Sequence, residues 1–244
     1  MYIYRRMGLM TEKEIVTLGK NNPGTFLDAA VQFQQVMMVY ESAIKEMVTK
    51  LEILEHEFRV KGEHVPIKSV ESRVKSPLSI ARKLQKNGYD ITLDNIKDQL
   101  HDVAGVRIIC PYITDVYTVA DILSNQKDVR VVETKDYIKN PKKSGYRSLH
   151  LIAQMPVHLA NKTEIVLLEL QFRTISMDSW ATLEHEIRYK SPENQISSEL
   201  ARRLKSCADV MAMADEEMEN IAQQLEPRNK TQLEKLDLIA YDMQ

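Results

Sequence analysis

Lys135-Asp136-Tyr137-Ile138-Lys139-Asn140-Pro141-Lys142-Lys143-Ser144-Gly145-Tyr146-Arg147-Ser148-Leu149-His150 is the stretch on which the reading of the fold turns. It closes one strand pattern (Val129 to Tyr137), crosses a turn and opens another (Ser148 to Val157), so a sheet is expected in the middle of the chain. Asn140, Pro141, Ser144 and Gly145 are turn formers, each with its own backbone chemistry. The stretch also carries four lysines and two tyrosines, a heavy load for a connector. Cations beside an exposed aromatic ring suit a ligand with phosphates at one end and a flat base at the other. So many like charges in a short turn repel one another, which predicts a loop that is not ordered before its ligand arrives.

Working outward, Thr163 to Thr174 reads as a further strand with period two: Leu168, Leu170 and Phe172 face one way, Glu169, Gln171 and Arg173 the other. Such a strand has one face on a core and one polar face, which is either solvated or the floor of a polar cleft. His101-Asp102-Val103-Ala104-Gly105 leads into a buried strand, Val106 to Cys110, with Asp102 at its mouth. A lone aspartate there is by default a turn cap. The His101-Asp102 pair, with His56 and His64 upstream, also raises an all-helical metal phosphohydrolase, but a strand follows directly and no ligand-spaced partners accompany the pair.

Helical patterns surround these strands. Ser76-Pro77 fits an N-cap with proline at the first helical position, opening a helix from Leu78 to Asn87 that Gly88 ends. Arg73 and Lys75 precede that helix and Arg82 and Lys83 lie along it. Cations beside a helix N-terminus oppose its dipole unless an anion sits there, so an anion site is expected, against the plainer reading of a solvated basic face. Shorter helices follow at Thr92 to Leu100 and Asp115 to Asn125, and one begins at Ser176 with Trp180, Leu183, Ile187 and Tyr189 on its apolar side.

Two long helices flank the whole. One opens at Thr25-Phe26-Leu27-Asp28, a capping-box pattern, and runs to about Lys61, its seam being Phe33, Val36, Met37, Tyr40, Ile44, Met47, Leu51, Leu54 and Phe58. The other spans about Ser197 to Leu225, with Leu200, Leu204, Ala208, Met211, Met218, Ile221 and Leu225 as its seam. The tail after Pro227 is polar and helix-prone at best. Helices at both ends and strands between them make the class α+β, a sheet flanked by helices.

The 244 residues, 43% hydrophobic and 28% charged, suffice for a core in a soluble protein, and only seven glycines argue against a long flexible linker. Cys110 and Cys207 make neither a disulfide framework nor a metal knuckle. No run is long enough to span a bilayer and no apolar signal core follows the first residues, so a cytoplasmic protein with no membrane partner is expected. At a net charge of −2 there is no general attraction for DNA or RNA, so any anion site is local. Glycine-rich phosphate loops, nucleophile elbows and zinc spacings are missing from the sequence. What remains is two carboxylates at strand positions, Asp102 and Glu169, among segments rich in cations, a combination suited to Mg²⁺ and nucleotide phosphates.

Five ordered segments carry a resemblance. Arg73-Val74-Lys75-Ser76-Pro77 with Ser79-Ile80 and Arg82-Lys83-Leu84; His101 to Arg107; Lys135 to Ile138; Pro141-Lys142 with Ser144 to His150; and Glu169 to Thr174 together resemble the successive motifs of the (p)ppGpp synthetase domain. With long helices at both ends, and with Trp180-Ala181-Thr182-Leu183-Glu184-His185, the chain is similar to the small alarmone synthetases, most of all the RelP type. The resemblance implies a single synthetase domain over residues 1–244, with motifs in about 65–190 and oligomerising helices at about 25–61 and 197–225. It implies a nucleotidyltransferase-like mixed sheet and Mg²⁺-dependent transfer of the β,γ-pyrophosphate of ATP to the 3′-hydroxyl of GDP or GTP, releasing AMP, in the stringent response.

Carried over residue by residue, Arg73, Lys75, Ser79, Arg82 and Lys83 match the ATP segment and Arg107 a charge-stabilising position. Asp102 and Glu169 match the Mg²⁺ carboxylates, with Glu169 activating the 3′-hydroxyl. Tyr146 matches the ring that stacks on guanine, and Lys135, Lys142 and His150 surround the acceptor phosphates, while Gln171, Arg173 and Glu184 line the same cleft. A homotetramer is implied as well. RelQ-type relatives carry Phe-x-Thr-Gly-Arg before the ATP motif; here Val70-Glu71-Ser72-Arg73 stands there, so an alarmone-activated site is not carried over. Two other readings share parts of the pattern: a different metal-dependent nucleotidyltransferase, and a non-catalytic RNA- or partner-binding helical protein using the lysine loop as a basic patch.

Overall fold

The computed structural model describes the backbone of residues 23–190 and 196–241 and the side chains of residues 31–190 and 196–225. In chain order the elements are α1 (Pro23–Val60), β1 (Ser69–Val74), α2 (Pro77–Lys86), α3 (Leu93–Gln99), β2 (Ala104–Cys110), α4 (Ile113–Ser124), β3 (Arg130–Asp136), β4 (Leu149–His158), β5 (Thr163–Thr174), α5 (Ile175–Lys190) and α6 (Ser198–Tyr241). The strands form one mixed sheet in the order β1-β2-β5-β4-β3. Only the β2–β5 pair is parallel; the other three pairs are antiparallel.

Local chemistry sets the element ends where the sequence places them. Ser76 accepts a hydrogen bond from the Ser79 amide at the start of α2, and Thr92 from the Asn95 amide at the start of α3. Gly88 follows α2 at φ +80°, a conformation open to glycine at no steric cost. The capping-box side chains at Thr25 and Asp28 lie outside the described residues.

The α1 seam performs as a core stripe: Val36, Tyr40, Ile44, Met47 and Leu51 are buried, with Phe33, Met37 and Leu54 packed against them. This helix lies against β1, β2, β5 and β4, and Leu168, Leu170 and Phe172 of β5 enter the same buried cluster. The period-two pattern therefore leaves Glu169, Gln171 and Arg173 together on the opposite side of β5.

The C-terminal seam divides. Ala208 is buried, with Leu204 and Met211 partly covered, but Leu200, Met218, Ile221 and Leu225 are exposed. Leu183, Ile187 and Tyr189 of α5, expected on its apolar side, are exposed too, while Trp180 is buried and donates from its indole nitrogen to Leu204 O at 2.8 Å. The helical backbone also continues through Pro227 to Tyr241, past the expected end.

Beyond Ala208 the inward face of α6 continues as carboxylates. Asp215 accepts from Thr174 Oγ1 at 2.5 Å, and Glu219 accepts from the Thr114 amide at 3.1 Å. Burial pushes the Asp215 carboxyl above its ordinary range; the Thr174 and Ser176 hydroxyls counter this only in part, and Glu219 and Glu216 add to it. A carboxyl raised on folding stabilises fully below its unfolded value of 3.8, and that contribution is lost as pH rises through the raised value. Asp215→Asn keeps an acceptor for Thr174 without the charge. Its Tm is expected to exceed wild type at pH 8 by about 2–4 °C, the shift of ~1 kcal/mol in a chain of this size. The gap should close as pH falls to 4, and thermal denaturation across that interval checks it.

Candidate active site

Strand register builds the floor of the site. Glu71 on β1 pairs with Arg107 on β2, Arg107 with Gln171 on β5, Gln171 with His150 on β4, and His150 with Lys135 on β3. Paired residues share a face, so one row across all five strands carries two cationic side chains, a carboxylate, an amide and an imidazole. The neighbouring row includes Arg73, Gly105 and Glu169.

At the mouth of β2, Asp102 uses a single oxygen, Oδ2, to accept from Lys75 Nζ at 2.7 Å and Lys83 Nζ at 2.6 Å. Its other oxygen, Oδ1, is buried without a hydrogen-bond partner. Burial alone would raise the Asp102 carboxyl, but the two ammonium groups outweigh it and hold the group below its usual range. Ser79 Oγ lies 2.9 Å from Ser76 Oγ at the same helix start, and Arg73 and Arg82 stand exposed nearby on β1 and α2.

Glu169 sits inside a closed set of hydrogen bonds. Its Oε1 lies 3.1 Å from His150 Nδ1, and its Oε2 accepts from Gln171 Nε2 at 2.9 Å. His150 Nε2 is 2.8 Å from Tyr146 Oη, which accepts from Arg173 Nη2 at 2.9 Å. The same Arg173 nitrogen donates to Gln171 Oε1 at 3.1 Å. Donor roles follow from the two ends: arginine can only donate and a carboxylate can only accept. One arm therefore runs Arg173 to Tyr146 to His150 to Glu169, and the other Arg173 to Gln171 to Glu169. Burial works to raise the Glu169 carboxyl and Asp102 adds to that, yet His150 and Gln171 prevail and keep it below its ordinary range.

The loop from Asp136 to Tyr146 is folded as a hydrogen-bonded turn. Asp136 Oδ1 accepts from the Ile138 and Lys139 amides, Gly145 N donates to Lys142 O at 2.8 Å, and Lys142 N to Tyr146 O at 3.2 Å. The lysines are dispersed onto different partners. Lys142 Nζ lies over Tyr137 at 4.5 Å and Tyr146 at 4.9 Å, while Lys139 lies over Tyr117 and near Asp136. Arg147 turns away from the row: it donates to Gly145 O and Ala208 O and pairs with Asp209, tying the loop to α6.

Most of the expected site residues thus lie on or beside one face. Lys135 pairs with Glu133 at 2.9 Å, and that bond, with Glu169 a smaller influence, raises its ammonium. Glu184 is the exception: its ion pair is with Arg188, one turn on along α5, and not with the cluster. Sequence reading missed Asp178, which pairs with Arg173 at 2.9 Å and Arg107 at 3.3 Å. An acid in the first turn of a helix reads as a dipole partner, which hides such a role.

Among the described residues no group of three or more His, Cys, Asp or Glu could hold a metal. Asp102 Oδ1 and the nearby Glu169 carboxylate nevertheless fit a hard cation of the Mg²⁺ kind, which takes one or two carboxylates and completes its shell with phosphate and water oxygens. The Nε atoms of Arg107 and Arg173 are likewise buried and without partners, donors available to an anion.

Residues 72–194 match the family described as the region found in RelA/SpoT proteins. The chain is similar to the GTP pyrophosphokinase YwaC of Bacillus subtilis (strain 168), with 45% identity over 190 residues, covering 78% of this chain and 90% of that protein. Its fold resembles small alarmone synthetase 1 from Bacillus subtilis bound to its product pppGpp, with TM-score 0.73, 34% identity and coverage of 80% and 98%. It also resembles small alarmone synthetase 2 from the same organism, with TM-score 0.72, 43% identity and coverage of 79% and 98%.

Gly145 is where the loop meets α6. Its φ is +95°, and an added Cβ would lie 2.7 Å from the Ala208 Cβ. Gly145→Ala is therefore expected to destabilise the fold by about 1–3 kcal/mol through overpacking and backbone strain, measured by urea unfolding. An unchanged midpoint would show that the loop and helix part without cost.

Proposed function

Belonging to the RelA/SpoT family, this chain is a small alarmone synthetase, a GTP pyrophosphokinase that makes (p)ppGpp, and we propose that it works by moving the β,γ-pyrophosphate of ATP onto the 3′-hydroxyl of GDP or GTP in the cleft over the β2–β5–β4 strands. The observation that carries the assignment of roles is the position of Glu169, held by two hydrogen-bonded arms between the cations around Asp102 and those around Tyr146.

On the donor side, Arg73, Lys75, Ser79, Arg82 and Lys83 meet ATP at the N-terminal half of α2, where backbone amides also favour an anion. Arg107 neutralises charge on the group in transit. On the acceptor side, Tyr146 offers its ring to guanine, and Lys135, Lys142, His150 and Arg173 face the acceptor phosphates with Gln171 beside them. Lys142 lies over that ring, so a stacking base displaces its ammonium toward the phosphates.

Asp102 and Glu169 would hold Mg²⁺, which when bound supplies positive charge to the pyrophosphoryl oxygens. In the transfer, the 3′-oxygen bonds to Pβ, the Pβ–O bond to the α-phosphate breaks, and AMP leaves with that oxygen. The hydroxyl proton passes to Glu169. A carboxylate held below its ordinary range is a weak base, but it is ionised at neutral pH and stands ready to accept. Phosphoryl transfer through a loose transition state asks more of orientation and charge than of nucleophile strength, so a weak, well-held base is adequate.

Residues 1–244 are read as one synthetase domain. A homotetramer is proposed through the terminal helices, on whose surfaces Ile53, Val210, Met213 and Met218 are exposed. Among the described residues no helix is long and apolar enough to cross a membrane, and a cytoplasmic location, where ATP and guanine nucleotides are at hand, is proposed.

Incubation with ATP, GDP and Mg²⁺ is expected to yield AMP and a guanosine nucleotide carrying a 3′-pyrophosphate. Release of pyrophosphate with nucleotidyl transfer would instead indicate a different nucleotidyltransferase. Glu169→Gln should abolish turnover while the circular dichroism spectrum stays unchanged. Tyr146→Ala should raise the acceptor KM about 5- to 160-fold, the worth of ~1–3 kcal/mol of stacking, and leave the donor KM alone. Tyr146→Phe keeps the ring and removes the hydroxyl link between Arg173 and His150, so kcat should fall several-fold with the acceptor KM nearly unchanged.

A further inference from the structure

Asp178 lies in the first turn of α5 and faces back toward the end of β5. Its Oδ1 accepts from Arg173 Nη1 at 2.9 Å and lies 3.3 Å from Arg107 Nη1. The two guanidinium groups come from different strands, β2 and β5, and converge on that one oxygen. Arg173 is buried, and Arg107 has one other carboxylate partner, the exposed Glu71 at 3.1 Å. In a partly desolvated cleft, two guanidiniums this close repel each other unless a countercharge sits between them.

The same contact sets the direction of the Glu169 arms. With Nη1 of Arg173 held by Asp178, its Nη2 is aimed at both Tyr146 Oη and Gln171 Oε1, the first links of both arms. If Arg173 turned, neither oxygen of Glu169 would keep its chain of donors. Asp178 itself is assigned to no reacting atom; it meets the two arginines, and acts through them.

We infer that Asp178 is a positioning residue of the transfer: its carboxylate holds Arg107 and Arg173 at fixed places between donor and acceptor, and through Arg173 it orients Glu169. The inference rests on the pyrophosphoryl-transfer reading above. It also predicts a particular kinetic pattern. Incoming phosphates bring their own negative charge, so loss of the Asp178 charge does not weaken nucleotide binding. What is lost is the placement of the arginines and of Glu169, which matters in the transition state.

The test measures kcat and both KM values for wild type, Asp178→Asn, Asp178→Glu, Tyr146→Phe and the double variant Asp178→Asn/Tyr146→Phe, with Tm recorded for each. Asp178→Asn is expected to lose at least about tenfold in kcat, with neither KM raised more than about twofold. Because Asp178 and Tyr146 act through the same guanidinium, the double variant should be less impaired than the product of the two single effects. Asp178→Glu, which restores the charge one methylene further out, should recover part of kcat, and it keeps the test usable if the Asn variant does not fold.

Wild-type kcat in Asp178→Asn, a raised KM with kcat unchanged, strictly multiplicative effects with Tyr146→Phe, or a Glu variant no better than the Asn variant would each overturn the inference alone. Absence of AMP and alarmone from the wild-type reaction would overturn the pyrophosphoryl-transfer reading and the inference with it.

Discussion

Glu169 is a carboxylate largely withdrawn from water, close enough to Asp102 to feel its charge, and it must stay ionised and still. A group so placed would ordinarily take up a proton or turn toward solvent. Two arms of hydrogen bonds from one guanidinium prevent both, because each arm ends as a donor to a different carboxylate oxygen. The arrangement has a fixed polarity from cation to anion, with Tyr146, His150 and Gln171 as intermediaries. It also means that the tyrosine assigned to the base and the glutamate assigned to the hydroxyl are mechanically one unit.

Charge balance extends the same logic across the cleft. Lys75 and Lys83 share one oxygen of Asp102, and Arg107 is shared between Glu71 and Asp178. The cations are thus held in place by carboxylates before any phosphate arrives, so they need not be gathered against their mutual repulsion during binding. Among the described residues the side-chain atoms left buried without partners are Asp102 Oδ1 and the two arginine Nε atoms, an acceptor suited to a cation and donors suited to anions.

Support for the acceptor loop comes from far along the chain. Arg147 pairs with Asp209, and Gly145 lies directly against Ala208, so the loop rests on α6 rather than on its own strands alone. The same helix is docked by buried carboxylates at Asp215 and Glu219, while much of its apolar seam faces outward. A helix whose inward face is partly ionic and whose outward face is partly apolar gains from covering the latter, which agrees with the proposed assembly.

Much of this was legible in the chain because it depends on neighbours close in sequence. Ser76 and Thr92 cap helices that begin where their own spacing demands, and the alternation in β5 assigns Glu169, Gln171 and Arg173 to one face. Turn chemistry likewise marked Ser144-Gly145. Other features had no local signature. Arg147 belongs to the same motif as Tyr146 but docks a helix, Asp178 looks like an ordinary helix-start acid, and the outward turn of Leu183 and Ile187 follows from how α5 meets β5 and α6. The sequence by itself determined which elements form, which face each residue takes and, through ordered motifs, the family of chemistry. Tertiary structure alone decided which charges meet: strand register and helix docking join residues tens of positions apart, and periodicity along one segment carries no information about its alignment with another.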